Sequence, residues 1–434
     1  MLIVASYTFY GWWDWRFLTL IVFSSAVDFV AAQQMVGSDS VRRRMALGVS
    51  LIVNLGVLGF FKYFGFFAES LTAVLEPMGF RLTFVDLNIV LPVGISFYTL
   101  QTLSYTIDVY QGRCEPTRRV STFFAYVCFF PQLVAGPIER ATSLLPQFER
   151  PAVFDDARSR EGLRWVLWGL FKKVVIADGL ALQVDPIFGQ LDSVSGATVW
   201  LAAVLFAGQI YADFSGYSDM AIGLAMLLGF QLMKNFDRPY FAVSPADFWR
   251  RWHISLSTWF RDYVYIPLGG SRRGRWRTAW NLWVVFTASG LWHGASWNFV
   301  LWGWLHFLVV AASHWIPLRM PRTSPIAAKS MAMFATAATM VWCWIPFREP
   351  DAAVALSAMG RALTFWDGGG VEASRIGLAY VVLLMFADGV SGSHGHPLRL
   401  ARYPWPIRWA VYSLLVGGVL AVRRGDQPFI YFQF

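Results

Sequence analysis

The segment "SGLWHGASWNFVLWGW", Ser289–Trp304, places His293 within the longest aromatic-rich apolar run of the chain, 278–315. A helix of about 20 residues crosses a hydrocarbon core of about 30 Å, so this run is long enough for two crossings. Backbone groups in lipid need internal partners, which leaves only helices or a closed barrel. Because the apolar residues are continuous and do not alternate with polar ones, the run predicts membrane helices.

The composition of the whole chain agrees with this interpretation. Hydrophobic residues make up 56% of the 434 residues and charged residues only 15%, whereas a soluble domain carries about 25% charged residues. Similar apolar stretches recur along the chain without an internal repeat. We therefore predict one integral-membrane domain, 1–434. Its fold class would be all-α, a polytopic helical bundle with roughly ten transmembrane helices plus re-entrant or interfacial helices.

The predicted spans follow the apolar runs. They lie near 1–33 (interrupted by "GWWDWR" at 11–16), 45–68, 89–110, 162–182, 198–232, 278–315, 328–347, 372–390 and 407–422. The stretch 121–138 is short and contains Pro131, Gly136 and Pro137. Irregular backbone is tolerated at membrane depth only where protein or water surrounds it, so we expect a re-entrant segment there.

The charged residues indicate how the chain is oriented in the membrane. An excess of 36 basic over 27 acidic residues could suggest nucleic acid, but the charges lie in short loops between apolar runs. The loops 37–44 and 112–119 are basic, while the loop 69–88 between them has three acidic residues and one arginine. The positive-inside rule assigns the two basic loops to the cytoplasm. We expect a lipid bilayer, and no nucleic acid, as partner.

Several common functional motifs are missing from the sequence. The cysteines Cys114, Cys128 and Cys343 are too widely spaced for a disulfide framework or a metal knuckle. There is no H-E-x-x-H motif, and "HGH" at 394–396 is typical of a loop. Neither a Walker-type glycine loop nor a G-x-S-x-G elbow occurs. We therefore expect no metal and no bound cofactor. The stretch "MLIVASYTFYGWWDW" (1–15) lacks a basic n-region and an A-x-A-like site, so we also expect no cleavable signal peptide.

The segment "SPADFWRRWHISLSTWFRDYVYIPLGG", 244–270, predicts an amphipathic helix at a membrane interface, which ends at Pro267 and the two glycines and so covers 244–266. Ser244 can cap this helix, and Pro245 suits its first position. One face would carry Trp249, His253, Leu256 and Phe260, and another would carry Arg250, Ser257 and Arg261. The basic cluster 271–277 follows. Anchoring to lipid phosphates is its favoured role, and a landing surface for coenzyme A phosphates or an acidic acyl carrier is the alternative.

His293 is the first candidate for chemistry. It lies 14 residues after Ala279, which is about 21 Å along a helix and near the middle of a bilayer. From this depth alone, a functional role and an ordinary interhelical hydrogen bond are equally supported. Gly290 and Gly294 have G-x-x-x-G spacing, which lets another backbone or a substrate come close and which most often serves helix packing.

Further polar residues lie in apolar surroundings. A histidine on an apolar helix face, such as His253, is more often a packing residue than a catalyst. The stretch "QIYADFSGYSDMAIG", 209–223, brings Asp213, Tyr217 and Asp219 into a predicted span. Carboxylates there must pair, line water or face a bundle interior. Structural bonding is the favoured role, and lining a polar tunnel is the alternative.

Several long motifs together resemble one family. They are "RPYFAVSPADFWRRWHISLSTWFRDYVYIPLGGSRRG" (238–274), "LWHGASWNFVLWG" (291–303), "YADFSGYSDMAIG" (211–223), "LPVGISFYTLQTLSYTIDVY" (91–110) and "FFPQLVAGPIER" (129–140). Together they resemble the membrane-bound O-acyltransferase (MBOAT) superfamily, and within it the bacterial branch of alginate O-acetylation and teichoic-acid D-alanyl transfer proteins. The likeness covers nearly the whole chain and favours the alginate type. Relatives usually carry another apolar segment before "ASYTFYGWW" (5–13), so we expect either a truncated first helix or a misassigned start codon.

The resemblance implies a helical bundle around a central tunnel in the bacterial cytoplasmic (inner) membrane, with 240–306 as the catalytic core segment. It assigns the catalytic histidine to His293 and the second polar position to His253. The residues that we assign to substrate binding are Trp249, Arg250, Arg251, Ser257, Trp292, Trp297, Asn298, Asp213, Tyr217 and Asp219. The implied donor is acetyl-CoA or an acyl-carrier thioester. The implied partners are an SGNH-type periplasmic acetyltransferase and an acyl donor protein.

The chemistry of a buried histidine fits this assignment. Acyl transfer needs a base for the acceptor hydroxyl and a group that stabilises the developing oxyanion. Desolvation favours neutral imidazole, which can accept a proton. We predict O-acetylation of an extracytoplasmic polysaccharide, with His293 as general base and His253 orienting a substrate or supporting the oxyanion. D-alanyl transfer, peptidoglycan O-acetylation and, in a different class, a polysaccharide or lipid transporter are the alternatives.

Overall fold

The computed structural model describes residues 1–80, 89–151, 153–315, 325–364, 374–392, 396–400, 403–422 and 429–430. Every regular element in these ranges is helical, and none is a strand. The predicted all-α class is confirmed. Residues 81–88 of the acidic loop 69–88, and His394 and Gly395 of the "HGH" motif, lie outside the described residues.

Helices long and apolar enough to cross a membrane confirm a multi-pass membrane protein. Among the described residues there are four such stretches, Leu2–Gln34, Ser40–Met78, Gly196–Leu227 and Ile326–Arg348. Two shorter apolar helices, Ala352–Thr364 and Trp405–Ala421, add to them. The larger number of roughly ten spans remains a prediction.

The chain divides into two compact units, and the first comprises 1–155 and 228–232. Its α-helices are α1 (Leu2–Asp14), α2 (Leu18–Gln34), α3 (Ser40–Leu58), α4 (Phe64–Leu75), α5 (Ile95–Tyr110), α6 (Val120–Cys128), α7 (Phe130–Leu133) and α8 (Ala141–Phe148). The predicted interruption of the first apolar run is confirmed, because a 3₁₀ turn, Trp15–Phe17, separates α1 from α2. The predicted break within 121–138 is also present, between α6 and α7.

A buried polar network joins three helices of the first unit. The carboxylate of Asp28 in α2 accepts hydrogen bonds from Ser50 and Asn54 in α3. The hydroxyl of Thr106 in α5 lies 3.1 Å from that of Ser50. Because buried polar groups are costly unless they are hydrogen-bonded, this network specifies how α2, α3 and α5 pack.

The second unit comprises 156–227 and 233–434 and holds the candidate site. Its α-helices are α9 (Asp156–Phe171), α10 (Asp178–Phe188), α11 (Gly196–Leu227), α12 (Pro245–Arg251), α13 (Ile254–Phe260), α14 (Arg275–His293), α15 (Trp297–Trp315), α16 (Pro325–Cys343), α17 (Ile345–Arg348), α18 (Ala352–Thr364), α19 (Arg375–Ser391) and α20 (Trp405–Ala421). A large apolar core formed by α9, α10, α11 and the helices around them includes Phe206, Phe248, Trp252, Trp302 and Trp344.

Glycines bring α9 and α11 into close contact. A side chain at Gly162 would meet the carbonyl oxygen of Gly223, and one at Gly169 would meet that of Gly216. The absence of side chains at these four positions lets the two backbones pack directly against each other. The same contact brings the lysines that follow α9 next to the carboxylates of α11.

The run 278–315 forms the two antiparallel helices α14 and α15, as its length predicts. A Cβ at Gly290 would collide with the carbonyl oxygen of Phe299, and one at Gly303 with that of Phe286. A Cβ at Gly294 would collide with the ring of Phe299. Of the two uses that the G-x-x-x-G spacing allows, the structure therefore shows helix packing.

The prediction of one continuous helix over 244–266 is wrong. Ser244 does cap the segment by accepting a hydrogen bond from the backbone N–H of Asp247. The segment then breaks into α12 and α13 at Trp252 and His253. His253 has φ 42° and ψ 55°, the left-handed conformation that ends a right-handed helix. Apolar side chains of the segment 244–266 also pack into the protein core, where Phe248 and Trp252 are buried.

Candidate active site

The break between α12 and α13 places the ring of His253 inside the second unit. His253 is fully buried, and its ring packs edge-on against Phe214 of α11 with 4.6 Å between centroids. Trp292 of α14 lies 5.6 Å away. Among described non-glycine residues, only His253 and Arg238 have positive φ. Such strain persists only where the surroundings enforce it, and it often accompanies function.

His293 is the last residue of α14 and meets His253 in space. The two ring centroids are 6.2 Å apart, although 40 residues separate them in sequence. His293 is 5% exposed, and it packs edge-on against Trp302 of α15 and Phe347 of α17 at 5.0 and 5.2 Å. The two histidines that the sequence singles out therefore share one buried aromatic cluster.

A third histidine, His306, was not predicted from the sequence. It lies one turn after Trp302 on α15 and is fully buried. Its ring packs 4.8 Å from Trp302 and 5.0 Å from Trp249. Within the described residues, neither of its ring nitrogens has a hydrogen-bond partner, and the same holds for the indole nitrogens of Trp249 and Trp302. The i, i+4 spacing of an indole and an imidazole in an apolar helix was the signal available in the sequence.

Four other predicted residues lie in or beside this cluster. Trp292 contacts the rings of His253 and His293. Trp249 packs against Trp302 and His306. Asn298 is buried and donates a hydrogen bond to the carbonyl of Pro346, which ties α15 to α17. Ser257 donates to the carbonyl of Trp252, which supports the backbone beside His253.

Three predicted residues are directed elsewhere. Arg250 is exposed, and Trp297 is 56% exposed, so both side chains lie at the surface and not in the buried interior. Arg251 forms an ion pair with Asp247 of its own helix, with Nε 3.1 Å from the carboxylate. Helical spacing does separate Arg250 and Arg251 from Trp249 on α12, whereas the exposure of Trp297 at the start of α15 depends on tertiary packing.

The polar residues of α11 are held by neighbours in the same unit. Lys173 lies 2.9 Å from the carboxylate of Asp213, and Lys172 lies 2.7 Å from that of Asp219. Tyr217 packs against Phe429 with 5.3 Å between ring centroids. The ion pairs match the structural role that the sequence analysis favours. Asp219 and Lys172 also line a polar pocket together with Tyr211, Lys234 and Asp388.

Burial determines the protonation state of His253, which lies between the predicted spans. Desolvation lowers the pKa of His253 to about 3, because an imidazolium in apolar surroundings loses its hydration. The ring is therefore neutral at pH 7, and it can donate through one nitrogen and accept through the other. Such a group can orient a substrate without adding a permanent charge to the cluster.

Comparison with known proteins identifies the family. Residues 120–345 match the family model described as MBOAT, membrane-bound O-acyltransferase family. The chain is 36% identical to the protein named probable alginate O-acetylase of Pseudomonas putida, over 100% of this chain and 94% of that protein. It is 34% identical to the peptidoglycan O-acetyltransferase of Helicobacter pylori, over 82% and 72% of the respective chains. It is 24% identical to the teichoic acid D-alanyltransferase of Bacillus subtilis, over 51% and 59%.

The matched region contains the three histidines of the cluster. His253, His293 and His306 all fall within residues 120–345, and the similarity to the Pseudomonas putida protein spans the full chain. The chain is an acyltransferase and belongs to the membrane-bound O-acyltransferase family.

Proposed function

We propose that this enzyme takes an acetyl group from a cytoplasmic thioester and passes it on for O-acetylation of an extracytoplasmic polysaccharide. The observation that carries the proposal is the meeting of His253 and His293, 6.2 Å apart within one buried aromatic cluster. Full-length similarity to probable alginate O-acetylases supports acetyl as the acyl group and a polysaccharide as the final acceptor. The teichoic acid relative supports D-alanyl transfer less, because the similarity covers 51% of this chain.

The proposed reaction gives each histidine one task. The imidazole of His293 accepts the proton of the acceptor hydroxyl, whose oxygen then attacks the thioester carbonyl carbon. The tetrahedral intermediate collapses by breaking the C–S bond, and the proton passes from His293 to the departing thiolate. His253 donates a hydrogen bond to the oxygen that becomes negative, or orients a substrate. The products are an acetyl ester and a free thiol.

The aromatic surroundings suit this chemistry. Trp292, Trp302 and Phe347 contact His293 directly. Large rings exclude water, which would otherwise hydrolyse the thioester, and they strengthen electrostatic interactions within the site. Buried nitrogens usually have hydrogen-bond partners, so those of His306 and Trp249 are groups that a bound substrate could satisfy.

The membrane arrangement completes the proposal. We place the enzyme in the bacterial cytoplasmic membrane with roughly ten spans around a central tunnel. The basic loops 37–44 and 112–119 face the cytoplasm. The donor, acetyl-CoA or an acyl-carrier thioester, then enters from that side, and an SGNH-type acetyltransferase takes the acetyl group on the other. No resident cofactor or metal is part of the proposal.

Reconstitution into vesicles tests the proposal. Purified enzyme is supplied with radiolabelled acetyl-CoA on one side, and transfer of label to the partner acetyltransferase or an alginate oligosaccharide on the other side is counted. Peptidoglycan fragments and D-alanyl thioester in parallel assays distinguish the alternative acceptors and donors. We expect acetyl transfer that depends on the enzyme. A protein that moves oligosaccharide across the vesicle without transferring or hydrolysing label would be a transporter, and the proposal would be wrong.

A further inference from the structure

His253 occupies an unusual position at the beginning of α13. It is the residue that precedes the first turn of the helix, and its side chain makes no capping hydrogen bond. Residues at this position usually use their side chain to accept from the first N–H groups of the helix. If His253 did so, its ring could not face His293. Another group must therefore accept hydrogen bonds from the first backbone N–H groups of α13.

Asn235 supplies the missing bonds from 18 residues earlier in the chain. Its backbone carbonyl accepts from the N–H of Ile254 at 2.9 Å. Its side-chain oxygen accepts from the hydroxyl of Ser255 at 2.7 Å and from the N–H of Ser255 at 3.3 Å. The two residues that follow His253 are therefore held by a single asparagine.

The same side chain fixes this start to α11. The amide nitrogen of Asn235 donates to the hydroxyl of Ser218 at 3.2 Å. Ser218 lies one turn after Phe214, the residue whose ring packs edge-on against His253. Asn235 is 1% exposed. Its bonds therefore lock the backbone of His253 relative to the helix that supports the imidazole ring.

We infer that Asn235 is a positioning residue: it caps α13 in place of His253 and so holds the imidazole of His253 towards His293. The left-handed backbone at His253 is unfavourable for a residue with a Cβ, and the bonds of Asn235 to the two following residues, Ile254 and Ser255, offset that cost. Without them the first turn of α13 can rearrange, and the ring moves. This inference rests on the proposed role of His253 in acyl transfer.

A double-mutant cycle tests whether Asn235 acts through His253. Acetyl transfer per folded molecule is measured for the parent, Asn235→Ala, His253→Gly and the double variant. Glycine accepts the left-handed backbone without strain, so it removes only the ring. Misplacement by about 1 Å can cost about 100-fold in rate. We expect Asn235→Ala to lower kcat at least tenfold in the parent, with a smaller change in KM, and to have less than a twofold effect in His253→Gly.

Controls separate positioning from general loss of structure. Asn54→Ala removes an asparagine that is also 1% exposed, and it should lower the melting temperature without changing activity per folded molecule. If Asn235→Ala does not fold, Ser255→Ala replaces it in the cycle. If His253→Gly is too slow to measure, a structure of Asn235→Ala decides, because the inference requires the separation of 6.2 Å between the histidine rings to change.

Each outcome has a distinct meaning. If the losses in kcat of the two single variants multiply in the double variant, the positioning role of Asn235 is wrong. An unchanged separation of the His253 and His293 rings in Asn235→Ala would overturn it as well. An active Asn235→Ala beside an impaired His253→Gly would overturn it as well, while leaving the proposed function intact. A fully active His253→Gly would instead remove the role proposed for His253 itself.

Discussion

At the scale of single residues, the site depends on one backbone conformation. His253 adopts φ 42°, and this ends α12, begins α13 and turns the imidazole towards Phe214 and His293. No periodic pattern in the sequence indicates a left-handed residue in the middle of an apolar helix face. The histidine could be picked out by its chemistry, but its conformation could not.

Substitution at His253 should reveal this conformation through stability. Alanine at φ 42° keeps the clash of a Cβ with the backbone, whereas glycine does not. We therefore expect His253→Gly to be more stable than His253→Ala by about 1 kcal/mol. Thermal unfolding of both variants in the same detergent measures the difference. In a right-handed helix alanine would be the more stable by a similar amount, and that result would contradict the observed backbone.

Acid should destabilise the protein through the same residue. The pKa of His253 is lowered to about 3 in the fold, against about 6.5 in an unfolded chain. Below pH 6.5 the unfolded state binds more protons, so stability falls as the pH drops from about 6.5 and the loss levels off near pH 3. Melting temperatures between pH 7 and pH 4 should therefore decline more steeply in the parent than in His253→Gln. Parallel curves would show that His253 is not held neutral.

At the scale of elements, glycines set the contacts that build the site. Gly290 and Gly303 let α14 and α15 touch along their backbones, and this hairpin places His293 beside Trp302. Gly169 and Gly216 do the same for α9 and α11, so that Lys172 reaches Asp219. Apolar length predicts these helices, whereas the register between them depends on packing that the sequence pattern does not contain.

Alanine at Gly290 should separate the hairpin. Its Cβ would collide with the backbone of Phe299, and such overpacking costs about 1–3 kcal/mol. Gly360 of α18 is the matched control, since nothing lies within 4 Å of a Cβ there. We expect Gly290→Ala to lower the melting temperature and the activity, and Gly360→Ala to be neutral or stabilising by about 0.5–1 kcal/mol. Equal changes in melting temperature for Gly290→Ala and Gly360→Ala would contradict the close contact between α14 and α15.

The buried ion pair between α9 and α11 should respond asymmetrically. Asp219→Ala leaves the ammonium of Lys172, which is 4% exposed, without its carboxylate. Removing one partner of a buried pair costs about 3–5 kcal/mol. The double variant Lys172→Met, Asp219→Leu should regain most of that loss, because neither charge of this pair is then left buried without its partner. Chemical denaturation of the parent, Asp219→Ala and the double variant measures their free energies of unfolding. A double variant less stable than Asp219→Ala would show that the ion pair itself is essential.

At the scale of the whole molecule, hydropathy and motif content predicted the class, the family and several of the helices. The apolar runs 198–232, 328–347 and 407–422 correspond to α11, α16 and α20 within a few residues. What the sequence could not supply was proximity between distant residues. The meeting of His253 with His293, the burial of His306 and the exposure of Trp297 all depend on tertiary packing.

The most direct test of the account compares two histidines of the same helical hairpin. His293→Ala removes the proposed base, while His314→Ala removes an exposed histidine whose ring is hydrogen-bonded to the carbonyl of Val310 in its own helix. Acetyl transfer from labelled acetyl thioester is measured for both at equal amounts of folded enzyme. Positioned base catalysis contributes about 100- to 10,000-fold, so His293→Ala should lose at least about 100-fold while His314→Ala keeps the parent rate. A parent-like rate for His293→Ala would contradict the account.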